Sequence, residues 1–231
     1  TEGCRIVAVG AKALLSNVCA RNNTAIGAQS MQTNESGAQN VGVGTYTLYS
    51  NCNASENTAV GYAALYATNC SGGCNTALGN RALCNNTTGH GNVAVGRNSM
   101  QANTTGCGNV AVGCESLRSN TCGCRNNAFG EYALCSNTSG CHNNAFGDSA
   151  LCSNTTGCHN IGVGYRASFE NTTGDYNIAI GRQALDDNTT GCGNIALGRQ
   201  TLWKNLTGAC NVGIGHFVLN NLTSGCLNVG I

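Results

Sequence analysis

The sequence predicts an all-β fold, a parallel β-solenoid (β-roll) of about 13 coils with a 17-residue repeat. Three observations carry this expectation: glycines recur at a fixed step, apolar residues sit at fixed offsets from them, and the unit is too short for a pair of helices. The glycines that close each A-V-G-like triplet are Gly10, Gly27, Gly44, Gly61, Gly79, Gly96, Gly113, Gly130, Gly147, Gly164, Gly181, Gly198 and Gly215; every step is 17 residues except one of 18 into Gly79. Such a unit accommodates two or three short strands joined by Gly/Asn bends. A single coil of this kind leaves its apolar side chains in water and buries them only by stacking on its neighbours. With no linker or composition shift, residues 1–231 read as one uncapped repeat domain. Parallel strands about 4.8 Å apart would make it a rod on the order of 60 Å long.

Two apolar columns read as the core. One is the residue before the glycine (Val9, Ile26, Val95, Val112, Phe129 and their equivalents). The other lies four residues after it (Leu14, Met31, Leu48, Leu65 and onward). Alternation along a strand then turns the Ala/Gly column two residues before the glycine (Ala8, Ala25, Gly42, Ala59 and onward) outward, either as a seam between parallel rods or as a tight corner. An unbroken asparagine column, from Asn23 and Asn40 through Asn177 to Asn228, predicts stacked amide ladders.

Composition narrows the functional classes. Charged residues are 9% and aromatics 5% of the 231 residues, with 33 Gly, 17 Cys, no Pro and net charge +1. Nothing here favours electrostatic capture of nucleic acid, and no apolar run approaches the roughly 20 residues of a membrane-spanning helix. High cysteine content over a thin apolar core points to an oxidising, extracellular setting. Cysteines one period apart are candidates for disulfide rungs between adjacent coils: Cys52–Cys70, Cys107–Cys124, Cys135–Cys152, Cys141–Cys158 and Cys192–Cys210, with Cys4–Cys19 near one turn. Cys226 occupies the phase of Cys4 and is the candidate for a bond between molecules. The repeated pairs Cys141-His142 and Cys158-His159 form a nominal zinc set, disfavoured because neighbours on a strand face opposite ways.

A second asparagine column carries the N-x-S/T pattern of N-glycosylation. Candidate acceptors are Asn34, Asn53, Asn69, Asn86, Asn103, Asn137, Asn154, Asn171, Asn188, Asn205 and Asn221. The alternative is that Asn and Thr simply make the bend. N-linked glycans are the only non-protein groups expected, with no cofactor and no metal.

The string N-T-A-[VI]-G-x-x-A-L-x-x-N-T-T-G, clearest at Asn57–Leu65 and Asn177–Gly191, resembles repeats of bacterial surface adhesins and phage tail-fibre proteins. It is also similar to the S-V-A-I-G repeats of trimeric autotransporter heads. The resemblance covers essentially the whole chain and implies a β-roll displayed on a surface or appendage, often as a trimer. Its cysteines and sequons are more frequent than those families lead one to expect, which points to a secreted product.

No nucleophile–base pair or phosphate loop stands out, so catalysis is not expected. The expected role is a structural subunit of an extracellular fibril, partnering itself head to tail through open solenoid ends and laterally. The rivals are an adhesin that contacts glycans or a cell surface through variable slots (Tyr62, Tyr132, Tyr165, Trp203, Phe217) and an ice-binding solenoid using its Thr columns. Asp186-Asp187 reads as a surface turn.

Overall fold

A computed structural model describes residues 5–69 and 71–231. The protein is an all-β parallel solenoid with one short strand per coil. Where the sequence shows no boundary, the chain forms two compact units. The first runs to Glu115 and takes in Ser119–Cys122; the second comprises Ser116–Arg118 and Gly123–Ile231.

The first unit holds β1 (Val7–Val9), β2 (Thr24–Ile26), β3 (Val41–Val43), β4 (Thr58–Val60), β5 (Thr76–Leu78), β6 (Val93–Val95) and β7 (Val110–Val112). The second holds β8 (Asn127–Phe129), β9 (Asn144–Phe146), β10 (Ile161–Val163), β11 (Ile178–Ile180), β12 (Ile195–Leu197), β13 (Val212–Ile214) and β14 (Val229–Gly230). Within each unit consecutive strands pair in parallel and like residues stack on like: Val93 on Val110, Ile161 on Ile178. The longer step is absorbed before β5, so Thr58 still pairs with Thr76. The parallel rings of His142, His159 and Tyr176, on successive coils, lie 4.8 Å apart and measure the coil rise directly.

The strand parity is the reverse of the sequence expectation. Ala25, Ala59, Ala94, Ala111, Ala128, Ala145 and Ala179 are wholly buried, whereas Val9 (56% exposed), Ile26 (39%), Phe129 (37%) and Ile180 (42%) face outward. The row Val95, Val112, Phe129 is therefore not internal, and the Ala/Gly column is not a seam. Volume is the reason. The leucine column (Leu48, Leu65, Leu83, Leu134, Leu151, Leu185) fills the coil interior completely. A Cβ at Gly162 would already come within 3.1 Å of Leu151 Cγ. Only Ala or Gly fits opposite that leucine, and the β-branched residues on either side are turned to the exterior.

The corners are made by left-handed residues, and most are not glycine or asparagine. In every coil the residues two and four after the glycine have positive φ, for example Gln183 (55°) and Leu185 (55°). A third such position precedes the asparagine column: His142, His159 and Tyr176. Left-handed conformation costs an L-residue roughly 1–2 kcal/mol; burying a leucine side chain returns about 1.5–3 kcal/mol. The repeat glycines are needed for both conformation and space. Gly181 has φ 132°, and a Cβ there would lie 2.6 Å from the Gly198 carbonyl oxygen one coil on.

Two amide ladders complete the interior. Asn177 Oδ1 accepts the backbone N–H of Asn194 at 3.0 Å, and Asn177 Nδ2 donates to the Gly191 carbonyl at 2.8 Å. The same pattern recurs from Asn160 to Asn177 and from Asn194 to Asn211. In the second ladder Asn171 Nδ2 donates to Asn154 Oδ1 at 2.8 Å and to the Gly174 carbonyl at 3.0 Å. These bonds let a narrow, half-polar interior close without water.

Candidate functional site

The amide ladders decide what the sequon column does. Asn34, Asn86, Asn103, Asn137, Asn154, Asn171, Asn188 and Asn205 are all wholly buried. Asn103 Nδ2, for instance, donates to Asn86 Oδ1 at 2.8 Å and to the Gly106 carbonyl at 3.1 Å. A glycan on such a nitrogen would displace an interior hydrogen bond and have no path out of the coil. At these eight positions the bend reading of N-x-T replaces the acceptor reading. Asn53, Asn69 and Asn221 are exposed and keep the acceptor geometry open. The first threonine of each N-T-T is also committed: Thr155 Oγ1 donates to the Thr172 carbonyl, and Thr172 Oγ1 to that of Thr189, each at 3.0 Å. Only the second threonine (Thr156, Thr173, Thr190) presents itself to solvent.

The thiols stack in columns. Cys141 donates its N–H to Cys158 Sγ at 3.1 Å, and Cys124 donates to Cys141 Sγ at 3.2 Å. The column continues through Asp175, whose Oδ1 accepts from Cys158 N at 2.6 Å, to Cys192, whose Sγ accepts from Asp175 N at 3.3 Å. On a separate column Cys135 and Cys152 are hydrogen-bonded side chain to side chain. That bond, reinforced by burial, raises the Cys152 thiol well above its ordinary range. Cys152, Cys158, Cys192, Cys210, Cys19 and Cys226 are thiols in this structure. Cys192 and Cys210 lie on adjacent coils, the Cys210 N–H donating to the Cys192 carbonyl at 2.9 Å, but stand one column apart: Cys192 aligns with Asp175 and Cys210 with Gly193. Cys52 and Cys107 are part-buried. Cys4 and Cys70 lie outside the described residues, and with them the Cys4–Cys19, Cys52–Cys70 and Cys4/Cys226 pairings. His142 and His159 stack ring on ring beside the thiol column. Among the described residues no group of three or more Cys, His, Asp or Glu side chains is arranged to hold a metal ion.

Asp186 is not a surface residue. It is 2% exposed and takes a two-pronged contact from Arg166 (Nε–Oδ1 3.2 Å, Nη2–Oδ2 3.1 Å) and a third from Trp203 Nε1 at 3.3 Å. Arg166 also lies over the Phe169 ring at 4.0 Å. Both Asp186 oxygens are engaged inside the cluster, which braces the coil.

The surface that remains uncommitted is the outer face of the sheet. Each strand turns two side chains outward. In the second unit these form two columns, Asn127, Asn144, Ile161, Ile178, Ile195, Val212 and Phe129, Phe146, Val163, Ile180, Leu197, Ile214; the two asparagines are hydrogen-bonded at 2.8 Å and the two phenylalanines stacked at 5.1 Å. In the first unit the columns are Thr24, Val41, Thr58, Thr76, Val93, Val110 and Ile26, Val43, Val60, Leu78, Val95, Val112. No strand of either face carries a charged side chain. Together the fold and this face define a parallel β-solenoid repeat protein with an apolar ladder on its exterior. Comparison with protein-family models, with curated proteins and with solved structures finds no match.

Proposed function

We propose that the protein is a structural subunit of an extracellular assembly, a stiff solenoid that self-associates through the outer faces of its sheet. The observation that carries this reading is the pair of uncharged, mostly apolar columns that each unit turns outward. Seven strands at about 4.8 Å and a width of about 10 Å give on the order of 350 Å² per unit. Contiguous apolar patches of a few hundred Å² are already uncommon on monomers. One such face against its equivalent on a second copy buries on the order of 700 Å² in total, the size of a weak contact that repetition through an assembly strengthens. A second copy is the natural occupant because its columns repeat at the same pitch, so β-branched ridges of one face seat between those of the other along its length. The cysteine columns add the means of locking coils covalently once oxidised, at Cys135–Cys152 and Cys141–Cys158.

Light scattering after size exclusion, with electron microscopy, tests the reading on the full chain. Assembly above micromolar concentration is expected, and the triple variant Val163→Lys, Ile180→Lys, Leu197→Lys should remain folded by circular dichroism but monomeric. A wild-type monomer at high concentration, or unaltered assembly of the triple variant, refutes it.

A further inference from the structure

The exterior of the first unit breaks its own repeat at one place. Tyr46, Tyr49, Tyr62 and Tyr66 gather on two successive coils, in a chain with only seven tyrosines. The rings of Tyr49 and Tyr66 are parallel at 5.0 Å, and Tyr46 stands edge-on to them at 5.9 and 6.2 Å. Tyr62 closes on Tyr46 at 5.9 Å and 89°. Such mutual packing holds the aromatic wall rigid without a ligand.

Beside the wall lies an open recess of about 650 Å³, the size of an ordinary small-ligand site. Its cause is one small residue. Along the column two residues after the glycine, the side chains run Gln29, Tyr46, Ala63, Arg81. Ala63 is 6% exposed and leaves a notch between a tyrosine and an arginine. Gln101 lines the far side. Arg81 is exposed, and its guanidinium makes no ion pair or side-chain hydrogen bond with any described residue. Among the described residues no aspartate or glutamate lines the recess.

The chemistry selects the occupant. A quaternary ammonium needs rings set apart around it; these rings are already in contact with one another, and Arg81 opposes a cation. Flat aromatic faces instead suit the C–H face of a sugar ring. Carboxamides suit ring hydroxyls, being both donors and acceptors. A planar, charged fork with no protein partner suits a carboxylate. We propose that this recess is a binding site for an acidic saccharide, with the sugar ring on the face of Tyr66 turned away from Tyr49 and its carboxylate on Arg81. The site stands independently of the self-associating sheet face, since it uses none of the strand residues.

Titration calorimetry of the full chain with trigalacturonate, 3′-sialyllactose and neutral maltotriose tests it. At least one acidic probe is expected to bind at least tenfold more tightly than maltotriose. Arg81→Gln should abolish that preference, and Tyr66→Ala should weaken the acidic probe as well. Ala63→Gln removes no contact residue, and Gln29 shows that the same column accepts glutamine at positive φ; filling the notch should lower affinity at least tenfold with the circular dichroism spectrum unchanged. Failure of both acidic probes to bind, or equal binding by the Ala63→Gln or Arg81→Gln protein, overturns the proposal.

Discussion

Replacing Asn177 by alanine isolates the amide ladder, and its cost can be worked bond by bond. The side chain makes four interior bonds: Nδ2 to the Gly191 carbonyl (2.8 Å) and to Asn160 Oδ1 (3.2 Å), and Oδ1 from Asn194 N (3.0 Å) and Nδ2 (3.1 Å). Three of the four partners keep another bond. Gly191 O still accepts from Asn188 Nδ2, Asn160 Oδ1 from the residue 177 backbone N–H, and Asn194 Nδ2 still donates to Gly208 O. The Asn194 N–H alone is orphaned, at a cost of about 1–3 kcal/mol, and the three shared bonds add about 0.5 kcal/mol each. The total is about 2.5–4.5 kcal/mol. Urea unfolding followed by far-ultraviolet circular dichroism measures it. Hydrogen exchange gives a local signature: the Asn194 amide should exchange about two orders of magnitude faster, while amides several coils away change far less. A loss under 1 kcal/mol, with the Asn194 amide still protected, would refute the claim that the ladder holds the interior together alongside the leucine column.

Two further outcomes follow from the same geometry. Ala196→Val adds two methyl groups against Leu185, the register that sets Gly162 on Leu151, and should destabilise by about 1–3 kcal/mol, whereas Ile180→Thr, on the outer face, should cost under about 1 kcal/mol; denaturant midpoints in the reverse order would restore the opposite strand parity. Asp187 is held above its ordinary 3.8 by partial burial and then by the charge of Asp186, with Arg166 and Lys204 opposing. A raised acid binds its proton more tightly when folded, so this group's contribution is fully present below pH 3.8 and is lost as pH rises through the folded value. Asp187→Asn should therefore flatten stability between those two values and leave the variant the more stable protein above them, which thermal melts across pH 3–7 check.

Periodicity made the coil legible because every inward position repeats in phase, and the asparagine column predicted its own ladder. Parity was not legible for a physical reason. In a three-residue strand such as Val-Ala-Val or Ile-Ala-Ile, hydrophobicity favours burying the large residues, and nothing local opposes it. The deciding quantity is the interior volume left by a leucine eleven residues earlier, as Leu151 is to Gly162, which is a property of the closed coil. One signal was present: the middle column holds only Ala or Gly, a restriction an outward position has no reason to keep. The left-handed leucines were invisible because propensity assigns that conformation to Gly and Asn. The sequon column was ambiguous on its face, since the same Asn-Thr spacing serves a bend and an acceptor; only burial separates them. The tyrosine recess was missed because column-by-column reading treats Tyr46, Tyr49 and Tyr66 as separate variable slots, when two of those columns meet across a corner.

The constraints on this chain also say where function can reside. An inward side chain contacts its equivalents in the coils on either side, so a change there must be matched by its neighbours or leave a defect. Ser168 is such a defect. It takes a leucine position, is 1% exposed, and its hydroxyl has no hydrogen-bond partner. The apolar cluster of Ala167, Ala179, Ala184, Leu185, Ala196 and Leu202 gathers on its C-terminal side. The Arg166–Asp186–Trp203 bracing sits around that same weak coil, which gives a structural reason for burying an ion pair there. Outward positions couple only where neighbouring side chains stack, as at Phe129–Phe146, and elsewhere a substitution leaves the adjacent coils packed. Departures that brace nothing, such as Ala63 between Tyr46 and Arg81, are therefore the ones to weigh as recognition sites. The interior of a solenoid fixes the lattice on which side chains are displayed; its specificity has to be written on the outside.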